Sequence, residues 1–105
     1  MKQPAKIPTL ATLRKYGLTA EVFEIILAHQ GGVCAICVKV PNGHWCIDHD
    51  HRRGWKKMPP EQRAKYVRGI LCWFCNHYYV GRSITIEKAK NVVEYLTGFQ
   101  ARIST

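Results

Sequence analysis

No apolar run in this 105-residue chain approaches the roughly 20 residues that a membrane-spanning helix needs. The first residues, MKQPAKIPTL, are basic but lack a long apolar block and a small-residue cleavage site, so we do not expect a secretory signal. Internal repeats and low-complexity segments are also lacking. The lack of a long apolar run excludes a membrane-spanning helix, and without a secretory signal we expect the protein in the cytoplasm. The length predicts a single domain, 1–105.

Acidic residues are scarce as well. The chain has 7 Asp and Glu against 16 Lys and Arg, which gives a formal net charge of +9. Seven of the basic residues fall in one segment, where Glu61 is the only opposing charge: Arg52, Arg53, Lys56, Lys57, Arg63, Lys65 and Arg68. Such a one-sided field concentrates polyanions at the surface. The clustering favours a nucleic acid partner over a solvated surface that merely keeps the protein soluble.

Four of the five cysteines form two Cys-x2-Cys pairs, Cys34 with Cys37 and Cys72 with Cys75. Two such pairs allow four thiolates to converge on one zinc ion, although the intervening segment is longer than in most zinc ribbons. Four buried thiols or two disulfides are the alternatives, and a reducing compartment disfavours disulfides. We therefore predict one structural Zn²⁺. The fifth cysteine, Cys46, is expected to be a small buried apolar residue.

Local patterns predict a mixed helix and strand protein. Thr19 and Thr85 are suited to cap the starts of two amphipathic helices, and Gly31, Gly32 and Gly98 to end them. The predicted elements are an irregular arm 1–17, a helix 18–31, hairpin strands 37–40 and 45–49, a basic surface loop 52–66, a strand 66–71, a short helix 72–81 and a helix 85–98.

The segment Asp48-His49-Asp50-His51 is the candidate centre for chemistry. On a regular strand the two aspartates would share one face and the two histidines the other, whereas a bend after Asp48 would let several converge. A carboxylate suits a hard cation such as Mg²⁺, and an imidazole can activate water. Together they meet the needs of phosphodiester hydrolysis. The amide of Asn76, directly after the last zinc cysteine, can complete a metal site begun by Asp48.

The chain resembles the recombination endonuclease VII family in three segments: YGLTAEVFEIILAHQGGVCAIC, IDHDH and VRGILCWFCN. This family belongs to the HNH, or ββα-metal, nucleases and is typical of phages. The resemblance covers about 16–81 and extends more weakly into the last helix. It implies an α+β fold in which a zinc-stapled ββα-metal core, 32–81, is flanked by an N-terminal and a C-terminal helix. It also implies a DNA endonuclease acting in the cytoplasm of a bacterial host.

Roles for individual residues follow from the same resemblance. The Cys-x2-Cys pairs match the structural zinc ligands. Asp48 and Asn76 match the residues that share one catalytic Mg²⁺ or Mn²⁺. His49 matches the general base that deprotonates the attacking water, and His51 a second histidine that assists at the phosphate or the leaving group.

Two departures from the family pattern stand out. The link after His51 is usually short, whereas here the basic loop 52–66 is long and carries Trp55 and Tyr66. We interpret it as an added DNA-contacting loop, with basic side chains for phosphates and an aromatic for a base or sugar. The best-known members continue into a longer helical region that builds a dimer, so the resemblance leaves dimerisation and junction resolution open for this chain.

Two other functions agree with part of the sequence. A non-catalytic, zinc-stapled module that only binds nucleic acid explains the charge and the cysteines but not Asp48, because a carboxylate facing the DNA backbone weakens binding unless a cation intervenes. A zinc hydrolase acting on small substrates conflicts with the basic loop.

Overall fold

The computed structural model describes residues 5–81 and 83–104, and it confirms a small α+β fold. Residues 1–4 of the predicted arm lie outside the described residues. The helices and strands are α1 (Leu10–Lys15), α2 (Ala20–His29), β1 (Trp45–His49), α3 (Pro60–Arg63), β2 (Val67–Cys72), α4 (Trp73–Tyr78) and α5 (Ile86–Ile103).

A two-stranded antiparallel sheet forms the centre of the molecule, with β1 paired to β2. The register runs from Trp45 opposite Cys72 to Asp48 opposite Gly69, and then shifts so that His49 faces Val67. Arg68 is the extra residue of this bulge. A bulge bends a strand locally and re-aims its side chains, and here it falls between the two residues predicted to carry the chemistry.

Apolar side chains from α1, α2, α4 and both strands form one core. Leu13, Phe23 and Ile70 are its most deeply buried members. The side-chain amide of Gln30 fixes α2 to β2, because it donates to the Ile70 carbonyl at 2.8 Å and accepts from the Ile70 amide at 2.8 Å. Gln30 thus satisfies the backbone amide and carbonyl of Ile70, as a neighbouring strand would do.

The helix prediction for 18–31 is confirmed as α2, and its cap is as expected. The hydroxyl of Thr19 accepts a bond from the Val22 amide at 3.1 Å. The arm, by contrast, is not wholly irregular, because residues 10–15 form α1 with Thr9 as its cap. Ahead of α1, Lys6 forms a single parallel bridge with His44, directly before β1, so the arm is held at the start of the sheet.

The predicted hairpin is wrong, since 37–40 is not a strand and β1 pairs with β2 instead. The chain after Cys34 curls back on itself: the Val38 amide donates to the Cys34 carbonyl and the Cys34 amide to the Lys39 carbonyl. This tight turn brings two cysteines together, and it uses the backbone groups that a strand would need. The strand predicted at 66–71 is confirmed as β2.

The segment 52–66 is folded rather than an open loop. It contains the short helix α3 and two 3₁₀ turns, Trp55–Lys57 and Ala64–Tyr66. α3 packs on α1 so closely that a Cβ added at Gly17 would strike the carbonyl oxygen of Pro60. Glycine permits this contact because it has no Cβ, and it adopts the φ of +73° at this position without strain.

Replacing Gly17 with Ala is expected to destabilise the protein more than replacing Gly31 with Ala. Both glycines follow a helix with positive φ, +73° and +77°, but nothing lies within 4 Å of a Cβ at Gly31. The Gly31 variant should lose only the backbone term, about 1–2 kcal/mol. Urea unfolding of the two variants measures the difference, and equal losses would contradict the close packing of 52–66 on α1.

The C-terminal helix is confirmed but is longer than predicted. α5 begins after Thr85, whose hydroxyl accepts from the Lys88 amide at 3.1 Å, and it continues through Gly98 to Ile103. All of its residues are exposed. Among the residues that the structure describes, no helix combines the length and the apolar character needed to cross a bilayer.

Candidate nuclease site and zinc centre

The four paired cysteines meet at one point, as the spacing predicts. Cys34 and Cys37 lie on the turn after α2, Cys72 ends β2 and Cys75 lies in the first turn of α4. Their sulfur atoms all lie within 4.8 Å of one another, and those of Cys37 and Cys72 are 3.8 Å apart. A tetrahedral zinc with Zn–S bonds of about 2.3 Å needs sulfurs about 3.8 Å apart. The cluster can therefore hold a zinc ion.

Backbone amides favour the charged form of Cys34, whereas burial raises the pKa of the Cys75 thiol. The Cys72 amide points at the Cys34 sulfur at 3.3 Å, and the Cys75 amide at the Cys72 sulfur at 3.4 Å. Burial opposes ionisation of Cys34, but hydrogen bonds from the amides of Cys37, Cys72 and Ile36 outweigh it and lower its pKa to about 6. A thiolate is the form that binds zinc. Cys46 lies outside this cluster, and burial raises the pKa of its thiol.

Asp48 is a buried carboxylate, 6% exposed, at the end of the regular pairing of β1. Arg68 binds it through two parallel bonds, Nε to Oδ2 at 2.8 Å and Nη2 to Oδ1 at 2.9 Å. The same Nη2 also donates to the Val80 carbonyl at 3.2 Å. A buried carboxylate requires such compensation. Arg68, one of the seven predicted DNA contacts, is thus paired inside the candidate site.

His49 follows Asp48 directly, beyond the bulge, and is half-buried. Burial, and after it the proximity of His51, lowers the pKa of His49 below its usual value. The imidazole is therefore neutral at neutral pH, as a proton acceptor must be. His51 is exposed, and its ring centroid lies 4.4 Å from that of His49. The structure thus brings the two predicted histidines together.

Two aromatic side chains enclose His49 and were not predicted to do so. The Trp55 ring is stacked on the His49 ring at 4.3 Å and 23°, and the Tyr16 ring lies at 5.4 Å. Burial raises the pKa of Tyr16, so its hydroxyl keeps its proton. No spacing in the sequence signals these contacts, because they depend on how 52–66 and α1 pack against β1.

A basic cavity of about 780 Å³ opens beside His49. It is lined by Lys15, Tyr16, His49, His51, Arg52, Arg53, Gly54, Trp55, Lys56 and Lys57. Arg53, Lys56 and Lys57 are exposed at its rim. Arg52 forms an ion pair with Asp50 at 2.8 Å and lies over the Tyr66 ring. Lys15 is a basic residue that the sequence analysis missed, because it lies in the predicted arm.

The remaining predicted DNA contacts lie elsewhere. The guanidinium of Arg63 is bound by backbone carbonyls within the fold, and Trp55 is buried at 9% exposure. Lys65 is exposed and lines a second cavity of about 610 Å³ that reaches from Asp50 to the start of α5. The described basic surface therefore centres on the cavity beside His49.

Asn76 lies in α4, directly after Cys75, and is half-buried. α4 contacts both β1, which carries Asp48, and β2, which carries Arg68. The cysteine cluster fixes the start of α4 and hence the place of Asn76 relative to the sheet. The predicted metal-binding pair thus lies on two elements in direct contact.

Comparison with known proteins gives consistent matches. The family described as recombination endonuclease VII matches residues 9–98. The "Gene 59 protein" of Mycobacterium phage D29 and that of Mycobacterium phage L5 are each 38% identical to this chain over 88 residues, which cover 80% of the chain and 46% of each relative. The chain thus spans about half the length of the curated relatives it matches. No solved structure gave a significant match.

Proposed function

Because the chain belongs to the recombination endonuclease VII family, we propose that it is a DNA endonuclease that hydrolyses phosphodiester bonds with one divalent metal ion. The observation that supports this most strongly is that Asp48 and His49 lie next to each other. A buried carboxylate and a neutral imidazole adjoin each other at the bulge, and the imidazole lines a basic cavity. A binding module has no need for either group there.

In this proposal the cysteine cluster is structural. Four thiolates fill the coordination sphere of a zinc ion and leave no position for water or substrate. Zinc would join the turn after α2 to β2 and α4 and thereby fix the elements that carry Asp48 and Asn76. The chemistry then lies with the oxygen and nitrogen groups around the bulge.

Asp48 and Asn76 are the residues that would hold the catalytic Mg²⁺ or Mn²⁺, since hard cations prefer carboxylate and amide oxygens. Both Asp48 oxygens already accept bonds from Arg68. A carboxylate offers about four lone-pair sites, so it has capacity for an ion beside this pair. When bound, the ion would polarise the phosphate and stabilise the charge that develops on the leaving oxygen.

His49 would take the proton from the attacking water. Its lowered pKa keeps the imidazole unprotonated, and the adjacent cavity gives the phosphate access to it. His51, exposed beside it, would bind the phosphate or assist the leaving group. The basic side chains at the cavity rim would hold the DNA backbone through phosphate contacts, which position the strand without reading its sequence.

The proposal is tested by adding Mg²⁺ to zinc-loaded protein in the presence of supercoiled plasmid and of a four-way junction. Mg²⁺ should be withheld in the control rather than removed with a chelator, because a chelator would also extract zinc. We expect nicked or linear plasmid, or cut junction, only with Mg²⁺ or Mn²⁺. Intact DNA of both kinds would favour the alternative, a zinc-stapled module that only binds nucleic acid.

A further inference from the structure

Trp55 has the environment of a core residue although its segment is highly charged. It is 9% exposed, and its ring contacts those of His49 and Tyr16, at centroid distances of 4.3 Å and 5.5 Å. The near-parallel arrangement with His49, 23°, covers one face of the imidazole. An offset or tilted stack of this kind adds to the attraction of simple burial.

Arg63 also contacts the Trp55 ring. Its guanidinium carbon lies 4.5 Å from the centroid of the Trp55 ring, within cation–π range. It also donates to the backbone carbonyls of Trp55 at 3.1 Å, Lys56 at 2.7 Å and Lys15 at 3.0 Å. A planar guanidinium used in this way joins α3, the turn Trp55–Lys57 and the end of α1 into one unit.

The indole nitrogen of Trp55 is buried and has no hydrogen-bond partner among the residues that the structure describes. A buried unpaired donor costs stability, and a phenyl ring would stack without that cost. Hydrogen bonding therefore does not fix the Trp55 ring. Its contacts with His49, Tyr16 and Arg63 do.

From these contacts we infer that Trp55 is a positioning residue: its ring, held by Arg63, fixes the orientation of the His49 imidazole. The inference rests on the proposed role of His49 as general base. A base must lie within hydrogen-bonding reach of its proton, and a misplacement of about 1 Å can cost about a hundredfold in rate. The segment 52–66 would thus contribute to catalysis through Trp55 as well as through its charges.

Two substitutions of Trp55 distinguish a role in positioning His49 from a role in contacting DNA or in filling the core. Trp55→Phe keeps an aromatic face, whereas Trp55→Leu keeps apolar bulk without one. We expect the Phe variant to cleave within about threefold of the wild type and the Leu variant to lose about tenfold or more in single-turnover rate, with unchanged DNA affinity. A Leu variant with the wild-type rate, a Phe variant as slow as the Leu variant, or a loss of affinity in the Leu variant would overturn the inference.

A second readout does not depend on cleavage. Stacking on an indole shifts the NMR signal of the His49 ring upfield, and the His49→Ala spectrum identifies that signal. The shift should be largely kept in the Phe variant and clearly smaller in the Leu variant, where only the rings of Tyr16 and His51 remain near His49. An unshifted wild-type signal, or a Leu variant with the wild-type shift, would overturn the stack. If the wild type cuts no DNA, the nuclease proposal fails while this measurement still decides the contact.

Arg63→Gln tests the same contacts without changing Trp55 itself, and it carries the test if the Leu variant does not fold. Loss of the guanidinium should release the Trp55 ring, which would reduce both the cleavage rate and the upfield shift of His49. A Gln variant with the wild-type rate and the wild-type His49 signal would contradict the role given to Arg63.

Discussion

Replacing Cys72 with Ser is expected to unfold the protein. Cys72 lies at the junction of β2 and α4, its sulfur is 3.8 Å from that of Cys37, and it accepts the Cys75 amide. Structural zinc contributes about 10–16 kcal/mol in small zinc domains, while whole domains are stable by only about 5–15 kcal/mol. Loss of one of four ligands therefore removes part of a contribution that is as large as the total stability, and this is enough to unfold a small domain.

Cys46→Ser is the matched control for this substitution. Cys46 lies on the same sheet and is half-buried, but it lies outside the cluster. Circular dichroism melting and zinc content should show a folded, zinc-containing Cys46 variant and an unfolded, zinc-poor Cys72 variant. A Cys72→Ser protein with the melting curve of the wild type would refute the zinc centre.

Replacing His49 with Ala is expected to abolish cleavage while DNA binding survives. A positioned general base contributes about 10²–10⁴-fold to rate, and the charge that attracts DNA lies on the rim residues, not on His49. Single-turnover cleavage and fluorescence anisotropy measure the two properties separately. His29→Ala is the control, because His29 is exposed at the end of α2.

The role of His49 would be contradicted by either of two results. A His49→Ala protein that cleaves at the wild-type rate would show that another group accepts the proton. A variant that no longer binds DNA would show that His49 contacts the substrate. Melting curves should accompany both assays, because the substitution also removes the ring on which Trp55 stacks.

Features with a local signal were predictable from the sequence. Thr19 and Thr85 cap α2 and α5 as expected, because a hydroxyl at a helix start accepts a free amide wherever the helix later packs. The Cys-x2-Cys spacing likewise predicted the convergence of four sulfurs, since each pair is brought together by its own turn.

Features that depend on competition between local preference and tertiary contacts were not predictable. Val38-Lys39-Val40 alternates as a strand does, yet the turn around Cys34 takes its backbone groups. Gly98 was expected to end α5, but an internal glycine costs a helix only about 1 kcal/mol, and α5 continues past it.

Some features of the candidate site were likewise predictable from the sequence, and others were not. Asp48, His49 and His51 lie within four consecutive residues, so a bend of the chain was enough to bring them together. The ion pair of Asp48 with Arg68 depends on the bulge, which places Arg68 between two paired residues of β2. The stack of Trp55 on His49 depends on the packing of 52–66 against α1. Neither feature has a signature in residue spacing.

The proposed mechanism requires that bound DNA is hydrolysed only when a divalent ion occupies the site formed by Asp48 and Asn76 beside His49. The most direct test forms the complex of zinc-loaded protein with labelled junction or plasmid DNA without Mg²⁺, adds Mg²⁺ to the preformed complex, and follows cleavage over time. We predict that the bound DNA stays intact until Mg²⁺ is added and is then cut in a single turnover. Bound DNA that remains intact after the addition, for both substrates, would contradict the account and identify a binding module.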